Sequence, residues 1–166
     1  MNENKKNLRG FTLVELLAVI VVLAIVMLIA VQAVLPQMER ARRQSFAIEA
    51  NGAIDAAQAY FMSSSLTGGD GFPANDGDTE CVTIDDLYAG GYTELDDDYS
   101  GKVVVQKKGN IHIYYVFLEK DDTWMVYGAG TDIKYDGTFT GTTNEDITEE
   151  DVVEYDPDQS DLATCS

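Results

Sequence analysis

The residues best placed for chemistry lie within ten positions: Arg9-Gly10-Phe11-Thr12-Leu13-Val14-Glu15-Leu16-Leu17-Ala18. A basic leader containing Lys5, Lys6 and Arg9 ends at Gly10, and an apolar run begins at Phe11 with one carboxylate, Glu15, inside it. Between Phe11 and Leu35 the polar side chains are Thr12, Glu15 and Gln32. As a helix, a run of this length reaches about 37 Å, enough to cross a bilayer core. A carboxylate in such a segment costs about 2.5–3.5 kcal/mol on insertion scales, so it calls for a positive partner. Cleavage after Gly10 would create one, because the new α-amino group of Phe11 lies one helical turn from Glu15. That charge can be answered within one chain or by the amine of a neighbouring chain, and only the second arrangement builds a polymer.

Other reactive side chains do not assemble into a catalytic constellation. His112 is the sole histidine and falls in the middle of a strand pattern, as an exposed strand residue rather than a ligand or base. Ser63, Ser64 and Ser65 have no activating partner in the sequence, so no enzyme activity and no cofactor are expected. The Asp70–Asp78 loop and Asp96-Asp97-Asp98 are rich in oxygen ligands but lack EF-hand spacing, and they read as solvated acidic turns with no metal. The two cysteines, Cys81 and Cys165, most simply form one disulfide in an exported domain. Two free thiols would instead leave a protease-sensitive C-terminal tail.

Charge supports export. The chain has 166 residues with a net charge of −18. Removing residues 1–10 takes away three bases and one acid, leaving −20. The leader bases suit a cytoplasmic N-terminus. A second cluster (Arg40, Arg42, Arg43) lies just past the apolar run, where it can meet lipid headgroups or acidic surfaces of adjacent subunits. From Ser45 onward the bases are Lys102, Lys107, Lys108, Lys120 and Lys134, and so acidic a surface repels nucleic-acid phosphates.

These residues need an element to position them. After Leu35 the all-apolar pattern becomes amphipathic, with Phe46, Ala50, Ala53, Ile54, Ala57, Tyr60 and Phe61 at helical spacing. The pattern predicts one nearly continuous helix from about Thr12 to Met62, roughly 75 Å long and ended by Ser63-Ser64-Ser65. Pro36 removes a backbone hydrogen bond from it and should kink or loosen it, and Gly52 is a second weak point. A capping box at Thr83-Ile84-Asp85-Asp86 opens a short helix that Gly90-Gly91 closes.

Strands are expected at Val103–Val105, Ile111–Phe117 and Thr123–Tyr127, the first two joined through Lys108-Gly109-Asn110. Ile111, Ile113, Tyr115 and Phe117 share a face that should pack on the amphipathic half of the helix. Tyr60, Phe61, Tyr115 and Trp124 read as core. The tail after Gly128 is polar, with Val152, Val153 and Tyr155 as its best strand candidate. The fold class is therefore α+β, a long N-terminal helix packed on a small antiparallel sheet.

Residues Lys6-Asn7-Leu8-Arg9-Gly10-Phe11-Thr12-Leu13-Val14-Glu15 closely resemble the class III signal and N-terminal helix of type IV pilins and type II secretion pseudopilins. The resemblance runs over roughly residues 5–62, loosens from 82 to 102, and beyond that is architectural. It implies a leader of residues 1–10 cut by a prepilin peptidase between Gly10 and Phe11, and N-methylation of Phe11. It implies that Glu15, with Phe11 and Thr12 beside it, aligns subunits during assembly. It divides the rest into a transmembrane and filament-core helix at 11–35, an amphipathic helix at 36–62 and an acidic head at 63–166. Pro36 then marks either a simple bend or a turn that unwinds on polymerisation. Many pilins tie down the C-terminal region with a disulfide, which agrees with Cys81–Cys165, and some pseudopilins bind calcium in acidic loops.

The function implied is a subunit of a type IV pilus, inserted in the plasma membrane with its head outside and then carried into a surface filament for adhesion or motility. The implied partners are further copies of itself, minor pilins, the peptidase, and an assembly ATPase with its platform. A pseudopilin of a type II secretion or DNA-uptake system is the alternative within the class. A monomeric membrane-anchored adhesin is the alternative outside it, and that reading has no use for Glu15.

Overall fold

A computed structural model describes residues 11–69, 71–121, 123–127, 143–156 and 165. The chain divides into two units, one ending at Arg40 and one beginning at Ala41. The elements are α1 (Leu13–Thr67), β1 (Thr79–Thr83), α2 (Ile84–Ala89), β2 (Tyr99–Lys108), β3 (Ile111–Lys120), β4 (Trp124–Tyr127) and β5 (Val152–Glu154). The expected α+β architecture is present.

In the second unit, α1 buries Phe46, Ala47, Ala50, Ala53, Ala56, Ala57 and Phe61. This face is mostly alanine, so the sheet can close on the helix backbone while Phe46 and Phe61 fill the space at either end. Truncating either phenylalanine to alanine would cost about 3–5 kcal/mol. α1 continues through the three serines to Thr67, past the predicted end at Met62. Ser65 Oγ donates to the Phe61 carbonyl (2.8 Å) and Thr67 Oγ1 to the Ser63 carbonyl (3.1 Å), so these hydroxyls bond back into the helix. Gly68, at φ +79°, follows directly and ends it.

The sheet is an antiparallel five-stranded array in chain order, β1-β2-β3-β4-β5. The β2–β3 hairpin, β4 and β5 lie where the sequence places them. β1 is an additional edge strand, with Cys81 opposite Val104, in a segment whose alternation is too short and polar to stand out. α2 begins with the predicted reciprocal cap. Thr83 Oγ1 accepts the Asp86 N–H (3.1 Å) and donates to Asp86 Oδ2 (2.7 Å).

One expectation reverses. The face of β3 that meets α1 carries Tyr114, Val116 and Leu118, joined by Val103 and Val105 of β2. Ile113, Tyr115 and Phe117 point to the opposite side, where with Val104 they form a second buried cluster against Cys81. Ile111 is about half exposed and belongs to neither cluster. β3 is apolar on both faces from Ile113 to Leu118, so a period of two does not choose between them. Tyr60 and Trp124 are half-buried against the helix-side core, whereas Phe61 and Tyr115 are fully buried.

The chain between β4 and β5 is held by two asparagines. Asn51 Nδ2 donates to the carbonyls of Ala47 (2.9 Å) and Ile147 (2.8 Å), and its Oδ1 accepts the Ile147 N–H (3.0 Å). Asn144 does the equivalent on β3, accepting from Tyr114 N–H (3.0 Å) and donating to the His112 carbonyl (2.8 Å). Asn51→Ala leaves the part-buried backbone of Ile147 unpaired, and should cost about 2 kcal/mol. The melting temperature of the detergent-solubilised chain should fall by roughly 5–10 °C. An unchanged melting curve would mean that the amide does not hold this segment.

Candidate functional site

The first unit is α1 from Leu13 to Arg40, preceded by Phe11 and Thr12. Every residue from Phe11 to Arg42 is exposed. The helix is long and apolar enough to cross a membrane. An apolar surface of this size needs lipid or another protein surface to cover it.

At its start the sequence builds a compact polar device. Glu15 Oε2 accepts the Thr12 N–H (2.9 Å) and the Thr12 hydroxyl (2.9 Å), while Thr12 Oγ1 accepts the Glu15 N–H (3.2 Å). This is a reciprocal capping box: two orphan amides of the first turn are satisfied, and a carboxylate sits at the positive end of the helix dipole. The Thr-x-x-Glu signature is legible at positions 12–15, but the five-residue spacing from Phe11 to Glu15 draws attention first.

The box gives Glu15 a role inside its own chain that the charge argument does not supply. It also aims the carboxylate back along the chain toward Phe11. Among the described residues all of its hydrogen bonds fall on Oε2, which leaves Oε1 for an ammonium group. Gly10 lies outside the described residues. Pro36 is inside α1, where its missing N–H takes one bond from the helix.

The remaining candidates sit in the head. Cys81 and Cys165 form a disulfide with Cα atoms 5.8 Å apart, closing a sequence separation of 84 residues. In the chain-entropy account a loop of that size is worth roughly 4–5 kcal/mol. His112 is half-buried and stacks on Phe72, with ring centroids 4.6 Å apart, so it is less exposed than its position suggests.

The acidic loop is turned to structural use. Asp76 Oδ1 accepts the Gly109 N–H (2.6 Å), and Asp78 Oδ2 accepts the Asn75 N–H (3.2 Å) and Nδ2 (2.8 Å), which ties the loop to the hairpin turn. Asp70 lies outside the described residues. Among the described residues no group of three or more His, Cys, Asp or Glu side chains is arranged to hold a metal.

Of the three arginines past the apolar run, Arg43 is engaged within the head. Its guanidinium lies 5.0 Å from the centroid of Trp124 and donates to the Val152 carbonyl (3.4 Å). Beside it, Lys120 donates to the Tyr99 hydroxyl, which is hydrogen-bonded to Glu49. Burial holds the Tyr99 phenol above its ordinary pKa, and the bond to Tyr99 raises Lys120, so the chain stays ammonium, neutral phenol and carboxylate. It joins β3 to the base of the helix, and no general base or nucleophile adjoins it.

Residues 5–31 match the model of the prokaryotic N-terminal methylation motif. The motif is a class III signal, consistent with a prepilin-like protein, and it spans the leader, Phe11, the capping box and most of the apolar run. With the α+β fold, it supports a type IV pilin-like or pseudopilin protein, a class that is typically structural. Such a signal implies processing by a prepilin peptidase. Searches of curated proteins and of solved structures return no match to this chain.

Proposed function

We propose that this protein is the subunit of a type IV pilus. The chain enters the membrane as a prepilin with its leader in the cytoplasm and its head outside. Prepilin peptidase cuts between Gly10 and Phe11 and methylates the new terminus. Phe11, Thr12 and Glu15 then set each incoming subunit against its neighbour. An assembly ATPase and platform drive extrusion, the segment 11–35 forms the fibre core, and Pro36 gives that core a yielding point. The acidic heads coat a surface filament that serves adhesion and twitching motility. The contact is heterologous and open, as a filament requires.

The observation that carries this reading is the methylation motif over residues 5–31, which coincides with an apolar run left uncovered by its own chain. The test is the intact mass of the protein in material sheared from the cell surface. The expected mass begins at Phe11, gains one methyl group and lacks two hydrogens for the disulfide. Full-length protein confined to membranes would overturn the proposal in favour of an anchored domain.

A further inference from the structure

The outer side of α1 within the head carries a repeat used neither by the core nor by processing. Ser45, Gly52 and Ala59 recur every seven residues, and Ile48, Met62 and Leu66 fall at the intervening three- and four-residue steps. That spacing places them in one stripe along the helix. All six are exposed, Ile48 at 71%, Met62 at 60% and Leu66 at 84%. Large and small residues thus alternate along a surface that nothing in the chain covers.

Gly52 is the sharpest point of the pattern. A Cβ built there would have no atom within 4 Å, so the head has no steric need for glycine. Glycine in an exposed helix nonetheless costs about 1 kcal/mol relative to alanine. A bare backbone at the centre of an apolar stripe makes physical sense where another helix approaches closely.

Charge identifies the occupant. The mature chain carries −20, so copies repel one another over most of the head. The stripe has one charge, Asp55, and is flanked by Gln44, Asn51 and Gln58 on one side and by Arg42 and Glu49, of opposite sign, on the other. A cationic partner would seek the acidic remainder of the surface, whereas an equally acidic copy is confined to this nearly neutral face. In sequence, the same three-four spacing continues upstream through Met38, Val34 and Val31 into the apolar run. Asp55 penalises offsets that set it against Ile48 or Met62 of a neighbour, which narrows the allowed registers.

We propose that this stripe is a contact surface for a second copy of the chain, with Gly52 at the point of closest approach. The inference rests on the polymeric function proposed above and names the helix face that the head contributes to it.

The test uses the full chain in cells. Gly52→Leu has room in its own head, so its membrane level and melting temperature should match or exceed those of the unaltered chain, while sheared polymer falls at least tenfold. Ile48→Cys, treated with a short bis-maleimide, should give a ladder of dimers and higher species in sheared filaments, and no ladder once Gly52→Leu is added. Undiminished polymer from Gly52→Leu, with no ladder from Ile48→Cys, would overturn the stripe and leave the pilus reading intact. Absence of sheared polymer from the unaltered chain would overturn both.

Discussion

Glu15→Ala is expected to remove the protein from the sheared surface fraction, by a hundredfold or more, while the membrane pool stays normal or rises. Insertion itself becomes easier, since a central carboxylate costs about 2.5–3.5 kcal/mol that alanine does not. Assembly loses far more. An ammonium left without its carboxylate in a water-poor contact costs about 3–5 kcal/mol, and each 1.4 kcal/mol is a tenfold change in association.

The capping box offers a competing explanation, because alanine also abolishes the bonds between Glu15 and Thr12. Loss of a cap is worth about 1 kcal/mol, too little for the expected defect. Glu15→Gln separates the two effects: glutamine can still close the box but cannot neutralise an amine. We expect Glu15→Gln to fail nearly as completely as Glu15→Ala. Near-normal filaments from Glu15→Gln would assign the residue to helix capping, and normal filaments from Glu15→Ala would sink the charge-pairing mechanism altogether.

Gly101→Ala should be the most damaging single change in the head. Gly101 lies within β2 at φ +145°, paired with Leu118 of β3. An added Cβ would sit 2.0 Å from the Phe117 carbonyl oxygen and 3.0 Å from Leu118 Cα. Those are backbone atoms of the central strand, held on their other side by β4, so the contact cannot be relieved by a rotamer change. Backbone strain alone accounts for about 1–3 kcal/mol. Displacing the β2–β3 pair adds to it, in a domain whose whole stability is about 5–15 kcal/mol.

We expect the full chain to be scarcely recoverable, and its melting transition to be lowered by more than 15 °C where it can be measured. Gly77→Ala is the control. It also has positive φ, +88°, but nothing lies within 4 Å, so it should cost only about 1 kcal/mol. Equal melting of the two variants would show that the strand pair yields to the added methyl group.

What was legible in the sequence divides along physical lines. The apolar run, the Thr83–Asp86 cap and the β2–β3 hairpin are read from local chemistry, and all three are present. The pairing of Cys81 with Cys165 follows from counting and is also present. The sidedness of β3 was not legible. Six consecutive buried residues leave no polar face to mark the outside, and the choice between Tyr114 and Tyr115 is made by which set registers with Val103 and Val105 below the helix. The end of α1 was misread because serine is a poor helix former in isolation yet bonds back to the preceding turn here. The capping box at Thr12 was written plainly in the sequence, but at the mouth of an apolar run the same carboxylate also signals a charge in need of a partner.

The disulfide has a mechanical consequence. Cys81 lies in β1 and Cys165 beyond β5, so the covalent ring they close encloses α2 and the strands β2 to β5, while α1 remains outside it. A pull transmitted along α1 enters the sheet through residues 68–80 and then meets a loop that cannot be drawn out. Those 13 residues, fully stretched, supply about 45 Å of slack. A subunit in a loaded cable would lengthen by no more than that before the strain passed to the packing of Phe46 and Phe61 against the sheet, and the ring would spare the rest of the head from unravelling.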